Sequence, residues 1–357
     1  MTDEQPGARE TASLKDELEA RLLGSPRSMR RREVSGGAEV SLLSARRFWH
    51  ALGFPNVRER DRVFTDADLA ALRSVVGLVR RGRFDEGTAL GLTRAMGRTT
   101  DRLAVWQTQL VTEALAAREG DRPRGPEETA RLVADLADEL EPLLVYAWRR
   151  HLSAALSRLL ADAEPAEPRG GLVRAVAFAD LVSFTAFVRT LTEAELGRVV
   201  QQFEVLTSEV VTSHGGRLVK TLGDEVLFST HDVAAAAHIA VDLVEAVDRD
   251  AILPHVRVGL ACGPVVSRFG DVFGTTVNRA SRLTAVAEQG CVVVDDAAAT
   301  ALARDPAFRL EALPTQPLHG LGDVPSWALR RTGTLDAERA GDRPEWTDDD
   351  LMEERDD

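Results

Sequence analysis

The chain has 357 residues, 44% hydrophobic and 28% charged, which excludes collagen-like, low-complexity and wholly disordered proteins. At roughly 150 residues per domain, this length predicts about two domains. The sequence has no continuous apolar stretch of membrane-spanning length and no apolar signal-peptide core near its start. Its two cysteines, Cys262 and Cys291, cannot make a disulfide framework. We therefore expect a cytoplasmic protein with no membrane span.

The net charge of −13 is unevenly distributed along the chain. Residues 335–357 hold eleven acidic residues against three arginines, so we predict an acidic disordered tail over 333–357. Residues 36–110 instead hold twelve arginines against eight acidic residues, a net of +4. Of the 44 basic residues, only Lys15 and Lys220 are lysines, so each of the two is a candidate for a specific role.

The N-terminal half has a helical pattern throughout. Residues 1–36 combine a short helical repeat with Gly24-Ser25-Pro26 and an arginine run, which favours a flexible arm. From about residue 41, apolar residues recur at helical spacing, and Thr65 followed by Asp68 is typical of a helix N-terminus. A long amphipathic stretch extends to about residue 161, where Pro142 should bend or interrupt a helix. The pattern predicts an all-helical domain over 37–162.

A proline- and glycine-rich segment, 163–171, indicates a linker. Beyond it the pattern changes to alternating strands and helices, which predicts an α+β domain over 172–332. The predicted strands are 173–179, 217–221, 225–229, 256–262 and 291–294, and the predicted helices are 193–213, 233–247 and 277–287.

Two carboxylates stand at turns of this second domain. Asp180 follows a buried strand, and Asp224 lies at the tip of the hairpin. Carboxylates at strand ends can converge on Mg²⁺, a hard cation that prefers oxygen ligands and substrate phosphates. For either aspartate alone, a capping or turn role is the alternative.

A third feature is a glycine-bounded turn before a helix. Gly270 and Gly274 permit the turn, and Asn278 and Arg282 follow four residues apart, so they share one helix face. A capped surface helix with an incidental Asn and Arg is the alternative.

Together these features resemble the catalytic domain of class III nucleotidyl cyclases, and the resemblance covers about 172–332. It rests on three blocks in the family's order and spacing, FADLVSFT (178–185), VKTLGDEVLF (219–228) and GDVFGTTVNRASRL (270–283). The resemblance implies a ferredoxin-like α+β catalytic fold that works as a homodimer, with its active sites at the subunit interface.

The resemblance also implies residue roles and a reaction. Asp180 and Asp224 match the aspartates that bind two Mg²⁺ or Mn²⁺ ions per active site, and Lys220 and Asp271 match the pair that reads the purine. Asn278 matches the residue that orients the ribose. Arg282 matches the residue that stabilises charge on the transferring phosphate. The implied activity is adenylate cyclase, which converts ATP to 3′,5′-cyclic AMP and pyrophosphate.

The identity of the base follows from hydrogen-bond polarity. Adenine offers an acceptor at N1 and a donor at its 6-amino group, which match a lysine donor at 220 and a carboxylate acceptor at 271. Guanine would place donor against donor and acceptor against acceptor, and such mismatches can cost about 10⁴ in discrimination. ATP is therefore the expected substrate.

Two positions depart from the family pattern. Ser183 stands where the family usually has glycine, and no lysine follows Lys220 although many relatives use a late lysine to contact the triphosphate. Arg268 or Arg330 could take the place of that lysine.

The N-terminal half allows two interpretations. Residues 62–83 resemble part of the MerR-type DNA-binding domain, and the half also resembles the helical regulatory domain that precedes soluble actinobacterial cyclases. A net charge of +4 is weak support for DNA binding, so we favour a regulatory, dimerising domain that responds to a small molecule, a lipid or pH. The alternative is a catalytically weak or inactive nucleotide-binding regulator with a MerR-like DNA-binding N-terminal half.

Overall fold

A computed structural model of the protein describes residues 6–118, 125–162, 172–268, 270–318, 320 and 322–333. The chain divides into two compact units, an N-terminal unit (Met1–Ala163) and a C-terminal unit (Glu164–Asp357). The predicted linker over 163–171 lies outside the described residues, as does the predicted acidic tail apart from Gly333. Among the described residues, no helix is both long and apolar enough to cross a membrane.

The described part of the N-terminal unit consists of six helices and the loops that join them. Ser41 caps its third helix, and Thr65 and Asp68 form the predicted capping box at the start of the fourth. Val34, Phe48 and Leu72 lie in the core of the unit. The helices are α1 (Pro6–Leu22), α2 (Arg31–Gly37), α3 (Leu42–Leu52), α4 (Asp66–Arg80), α5 (Glu86–Arg118) and α6 (Pro126–Asp162).

The expectation of a flexible arm over 1–36 differs from the structure, which has α1 and α2 in that range. Leu14 of α1 is buried, and Arg21 pairs with Asp135 and, at 3.1 Å, with Asp138 on α6. Tertiary packing therefore orders a helix whose own sequence pattern is short.

Pro142 was expected to bend or interrupt a helix, and it does not interrupt one, because α6 continues through it. Proline removes one backbone donor from a helix. The helix nevertheless extends over 37 residues, on both sides of the proline.

The C-terminal unit combines a large sheet with helices. Its helices are α7 (Phe184–Val188), α8 (Glu193–Ser213), α9 (Val233–Arg249), α10 (Thr275–Val286) and α11 (Asp296–Leu302). Its strands are β1 (Leu172–Leu181), β2 (Arg217–Leu222), β3 (Glu225–Thr230), β4 (Val256–Arg268), β5 (Asp271–Phe273), β6 (Val292–Asp295), β7 (Phe308–Ala312), β8 (Gln316–Leu318), β9 (Gly322–Val324) and β10 (Ser326–Arg331).

The sheet has the predicted ferredoxin-like core. Apart from the short α7 after β1, the chain order β1-α8-β2-β3-α9-β4 gives the spatial order β2-β3-β1-β4 with antiparallel neighbours, which is the split βαββαβ arrangement. Beyond β4 the sheet continues through β6, β10 and β7, and β5 pairs with β4. The predicted α+β fold is thus confirmed.

Both faces of β1 are buried, and they pack into different clusters. Ala175, Ala177 and Ala179 belong to the cluster that includes residues of α8 and α9. Val176 and Phe178 belong to the cluster that includes residues of α10. Because side chains alternate along a strand, Asp180 follows on the α10 face. The fold therefore delivers a carboxylate to the end of a strand that is buried on both faces from Ala175 to Ala179.

Candidate active site

Asp180 stands at the end of β1, between two neighbouring strands. Its partners in the sheet register are Glu225 on β3 and Arg257 on β4. The Arg257 guanidinium donates two hydrogen bonds to Asp180 Oδ2, from Nε at 2.8 Å and from Nη2 at 2.7 Å. The Asp180 side chain is only 17% exposed, so a single arginine balances a largely buried carboxylate. Both bonds use the same oxygen.

Asp224 lies in the turn of the β2–β3 hairpin, next to the end of β1. Gly223 supplies the left-handed backbone of this turn, with φ at 67°. The Leu181 amide donates to the Asp224 carbonyl at 3.1 Å, which ties the hairpin tip to β1. Burial raises the pKa of Asp224; the charge of Asp180 adds to the rise, while a backbone hydrogen bond and Arg257 oppose it. The two predicted aspartates therefore lie close enough for the charge of Asp180 to raise the pKa of Asp224.

Glu225 is a third carboxylate in the same region. Burial raises the pKa of Glu225, and the charges of Asp180 and Asp224 raise it further, against the lowering effects of Lys220 and Arg257. The cations that lower the pKa of Asp224 or Glu225 are Arg257 and Lys220, so few positive charges act on three neighbouring carboxylates. Such a region favours an additional cation.

The aspartate pair fits one type of divalent-cation site. No group of three or more His, Cys, Asp or Glu side chains with metal-binding geometry occurs among the described residues. Mg²⁺ commonly binds through one or two carboxylates, with substrate phosphates and water as its other ligands. Asp180 and Asp224 fit that type of site, in which the nucleotide completes the coordination.

Lys220 and Asp271 form an ion pair, with 2.8 Å between Nζ and Oδ2. Lys220 lies on β2 and Asp271 begins β5; Arg217 holds the turn before β5 by donating to the Gly270 carbonyl. Burial acts to raise the pKa of Asp271, but hydrogen bonds from Lys220 and the Val272 amide outweigh it and lower the pKa. The structure thus brings the predicted purine-reading pair together as a charged donor and acceptor.

Asn278 and Arg282 lie on α10, and both are exposed. Neither side chain has a hydrogen bond or ion pair with any residue that the structure describes. Gly259 on β4 allows α10 to lie directly against the sheet, since a Cβ at this position would be 2.2 Å from the Thr284 amide nitrogen. The helix is therefore held closely while its two predicted functional side chains point into solvent.

Known proteins that resemble this chain carry the same domain. Residues 173–331 match the family described as "Adenylate and Guanylate cyclase catalytic domain". An adenylate cyclase of Glutamicibacter nicotianae is 40% identical over 326 residues, which cover 87% of this chain and 81% of the relative. The chain belongs to the class III adenylate cyclase family.

Two further relatives extend the likeness over most of this cyclase. An adenylate cyclase of Streptomyces coelicolor is 40% identical over 340 residues, covering 88% of this chain and 89% of that protein. A pH-sensitive adenylate cyclase of Mycobacterium tuberculosis is 30% identical over 329 residues, covering 90% of this chain and 81% of that protein. The similarity therefore includes the helical half as well as the catalytic domain.

Sequence reasoning missed Arg257 and Glu225 in this cyclase. Arg257 lies 77 positions from Asp180 in the chain, and only the register of β1 on β4 places the two side by side. An arginine near the start of an otherwise apolar strand was the one available signal. Glu225 lies within the block VKTLGDEVLF (219–228), but its burial depends on the β1–β3 pairing.

Ser183 has the backbone of a glycine position in this cyclase. Its φ of 53° and ψ of 31° place it in the left-handed region, and its side chain makes no capping hydrogen bond to α7. This conformation explains why glycine is usual there, because a Cβ is disfavoured in the left-handed region.

Proposed function

We propose that this cyclase converts ATP to 3′,5′-cyclic AMP and pyrophosphate at two sites formed between the chains of a homodimer. Each site would use two Mg²⁺ or Mn²⁺ ions, and the N-terminal unit would control the rate. The observation that carries the proposal is the Lys220–Asp271 pair, 2.8 Å apart, in the same domain as the Asp180–Asp224 carboxylates.

The pair supports adenine as the base. Lys220 Nζ has three donor positions, of which Asp271 uses one, so a donor remains for adenine N1. Asp271 remains an acceptor for the 6-amino group because its lowered pKa keeps it ionised at neutral pH. Guanine would present a donor to Lys220 and an acceptor to Asp271, leaving both protein groups unmatched.

The carboxylate pair supports the metal requirement. Asp180 and Asp224 would hold the cations, and Arg257 fixes the Asp180 carboxylate through Oδ2. When bound, two divalent cations would activate the ribose 3′-hydroxyl and neutralise charge on the triphosphate.

The exposed face of α10 supports a site completed by a second chain. Asn278 would orient the ribose, and Arg282 would stabilise charge on the α-phosphate as the new bond forms. Both side chains are exposed and unpaired among the described residues of their own chain. Across a two-fold axis they would face the metal-binding pair of the partner.

Control by the N-terminal unit is supported by the similarity of this chain to relatives over both of its halves. Relatives are similar over both halves of the chain, and one of them is named for its pH sensitivity. A pH change, a small molecule or a lipid acting on the helical unit would fit this arrangement.

The base-reading role can be tested by reversing its polarity. We expect the wild type to make far more cyclic AMP from ATP than cyclic GMP from GTP. The double variant Lys220→Glu/Asp271→Lys presents an acceptor and a donor in exchanged positions and can still form an ion pair, so it should prefer GTP. Product formation is measured by chromatography at matched nucleotide concentrations with Mn²⁺.

The single variant Lys220→Glu is the control for this exchange. It sets two carboxylates against each other and should lose activity on both nucleotides. An unchanged preference for ATP in the double variant, at retained activity, would show that this pair does not read the base.

A further inference from the structure

The N-terminal unit contains two short helices joined by a tight turn. Helix α2 ends at Gly37 and α3 begins at Leu42. Glu39 in the turn has a left-handed backbone, with φ at 56°. Val34 of α2 and Phe48 of α3 are buried in one cluster. A four-residue turn between two helices that share a core is the arrangement of a helix-turn-helix.

The second helix presents a distinct outer face. Ala45, Phe48 and Trp49 face the core of the unit. The opposite face is exposed along its length, and consists of Leu42, Leu43, Arg46, Arg47 and His50. Ser41 fixes the start of α3 by accepting a hydrogen bond from the Ser44 amide at 3.0 Å. This short helix thus presents two cations and two apolar side chains to the outside.

A loop follows α3 and adds arginines beside it. It returns to the unit at Phe64, whose backbone pairs with Met29 in an isolated antiparallel bridge. Arg58 and Arg60 are exposed on this loop, and neither has an ion-pair partner among the described residues. They line an open depression of about 700 Å³ together with two further arginines and two glutamates, Arg30, Arg32, Glu33 and Glu59.

The charge of this segment is opposite to that of the whole protein. Residues 27–62 hold nine arginines and four acidic residues, whereas the chain carries −13. Some arginines are neutralised by local ion pairs: Arg31 and Arg32 pair with Glu59, Arg62 with Glu33, and Arg47 of α3 with Glu86. On α3 and the loop that follows it, the arginines with no ion-pair partner among the described residues are Arg46, Arg58 and Arg60, and this charge could meet the regularly spaced phosphates of a nucleic acid.

We propose that the N-terminal unit binds duplex DNA, with α3 in the major groove. Arg46 and Arg47 would contact base edges and phosphates, and Leu42 and Leu43 would contact thymine methyl groups. Arg58 and Arg60 on the loop would contact the flanking phosphates. The charge of the sequence alone is weak evidence for this role. The helix-turn-helix and the exposed face of α3 are independent geometric observations that agree with it.

The proposal is tested with the full chain and a pool of duplexes containing 30 randomised base pairs. We expect repeated selection to enrich a sequence motif. The purified protein should then bind the enriched duplex at least about 10³ times more tightly than a scrambled duplex, in the range of specific DNA-binding proteins. Failure to enrich any motif, or equal affinity for the two duplexes, would overturn the proposal.

Two matched variants locate the contact surface. Arg46→Ala/Arg47→Ala removes two cations from α3, and Arg94→Ala/Arg98→Ala removes two exposed cations from α5 of the same unit. The α3 variant should bind the enriched duplex at least tenfold more weakly and lose discrimination between the two duplexes. The α5 variant should bind as the wild type does. Equal losses in both variants would contradict the assignment.

Salt dependence separates a role for the loop from simple anion binding. Arg58→Ala/Arg60→Ala should reduce the slope of log affinity against log salt by about two, because each lost phosphate contact lowers it by about one. Cyclase activity should be unchanged in all three variants. If inorganic tripolyphosphate displaces the enriched duplex at equal phosphate concentration, the surface is a small-anion site and the proposal is wrong.

Discussion

Ser183 has a backbone conformation that is unfavourable for a residue with a side chain. It is one of two non-glycine residues with positive φ in the described part of the chain, and it lies three positions after Asp180. A left-handed backbone costs a residue with a Cβ about 1–2 kcal/mol. Glycine avoids that cost but loses more conformational entropy on folding.

We therefore expect Ser183→Gly to raise the free energy of unfolding by about 0.5–1 kcal/mol, the part of the relieved strain that remains after the entropy loss. Urea titration followed by circular dichroism measures the change. Ser183→Ala is the control, because it keeps the Cβ and should give no gain. Equal stabilisation by Gly and Ala would show that the left-handed backbone is not the cause.

At the same scale, the six candidate site residues could be predicted from the sequence because they lie in short contiguous blocks. Asp180 and Asp224 lie together, and Lys220 contacts Asp271. Arg257 could not be found in this way. Its role depends on the alignment of β1 with β4, a long-range property that no local pattern contains.

At the scale of elements, the position of α10 depends on Gly259. A Cβ here would be 2.2 Å from the Thr284 amide nitrogen and 2.5 Å from the Ala280 carbonyl oxygen. Both atoms belong to the helix backbone, so an alanine could be accommodated only by moving α10 away from β4.

Gly259→Ala should destabilise the C-terminal unit by about 1–3 kcal/mol through overpacking. It should also reduce turnover more than nucleotide affinity, because α10 carries Asn278 and Arg282. Gly197→Ala on α8 is the control, since its Cβ would meet nothing within 4 Å; it should be neutral or stabilising. Thermal unfolding and steady-state kinetics measure both effects. Normal turnover in Gly259→Ala would show that the placement of α10 is not critical.

The element boundaries show which parts of the fold depend on residues close together in the sequence and which depend on distant ones. The Thr65–Asp68 capping box was predictable because the cap and its partner lie three residues apart. The predicted helices 193–213 and 233–247 correspond to α8 and α9. Helix α1 was underestimated because its order depends on α6, more than 100 residues away in the chain.

At the scale of the whole molecule, the six site residues form separate groups within one chain. Asp180 and Asp224 lie at the β1 end of the hairpin, Lys220 contacts Asp271, and Asn278 and Arg282 point outward from α10. The described residues show no hydrogen bond or ion pair that joins one group to another. The proposed homodimer would combine the aspartates of one chain with the other four residues of its partner.

Mixing two inactive variants tests this arrangement. Asp224→Asn removes a metal ligand and Arg282→Ala removes the phosphate-binding arginine, so each homodimer should be nearly inactive. In a heterodimer, the intact aspartates of one chain meet the intact Arg282 of the other at one site, and both defects fall in the second site. Random pairing makes half of the dimers heterodimers, so the mixture should recover about a quarter of wild-type activity. Subunit exchange is verified by energy transfer between labelled chains.

A mixture of Asp224→Asn with Asp180→Asn is the matched control. Both substitutions affect the same metal-binding pair, so each site of the heterodimer keeps one damaged aspartate and the mixture should remain inactive. Recovery in the first mixture alone would mean that each site is formed by both chains. Only then do Arg282 and the aspartates of the same chain belong to different sites. If neither mixture recovers activity while exchange is complete, each site lies within one chain, and the proposed division of the six residues is wrong.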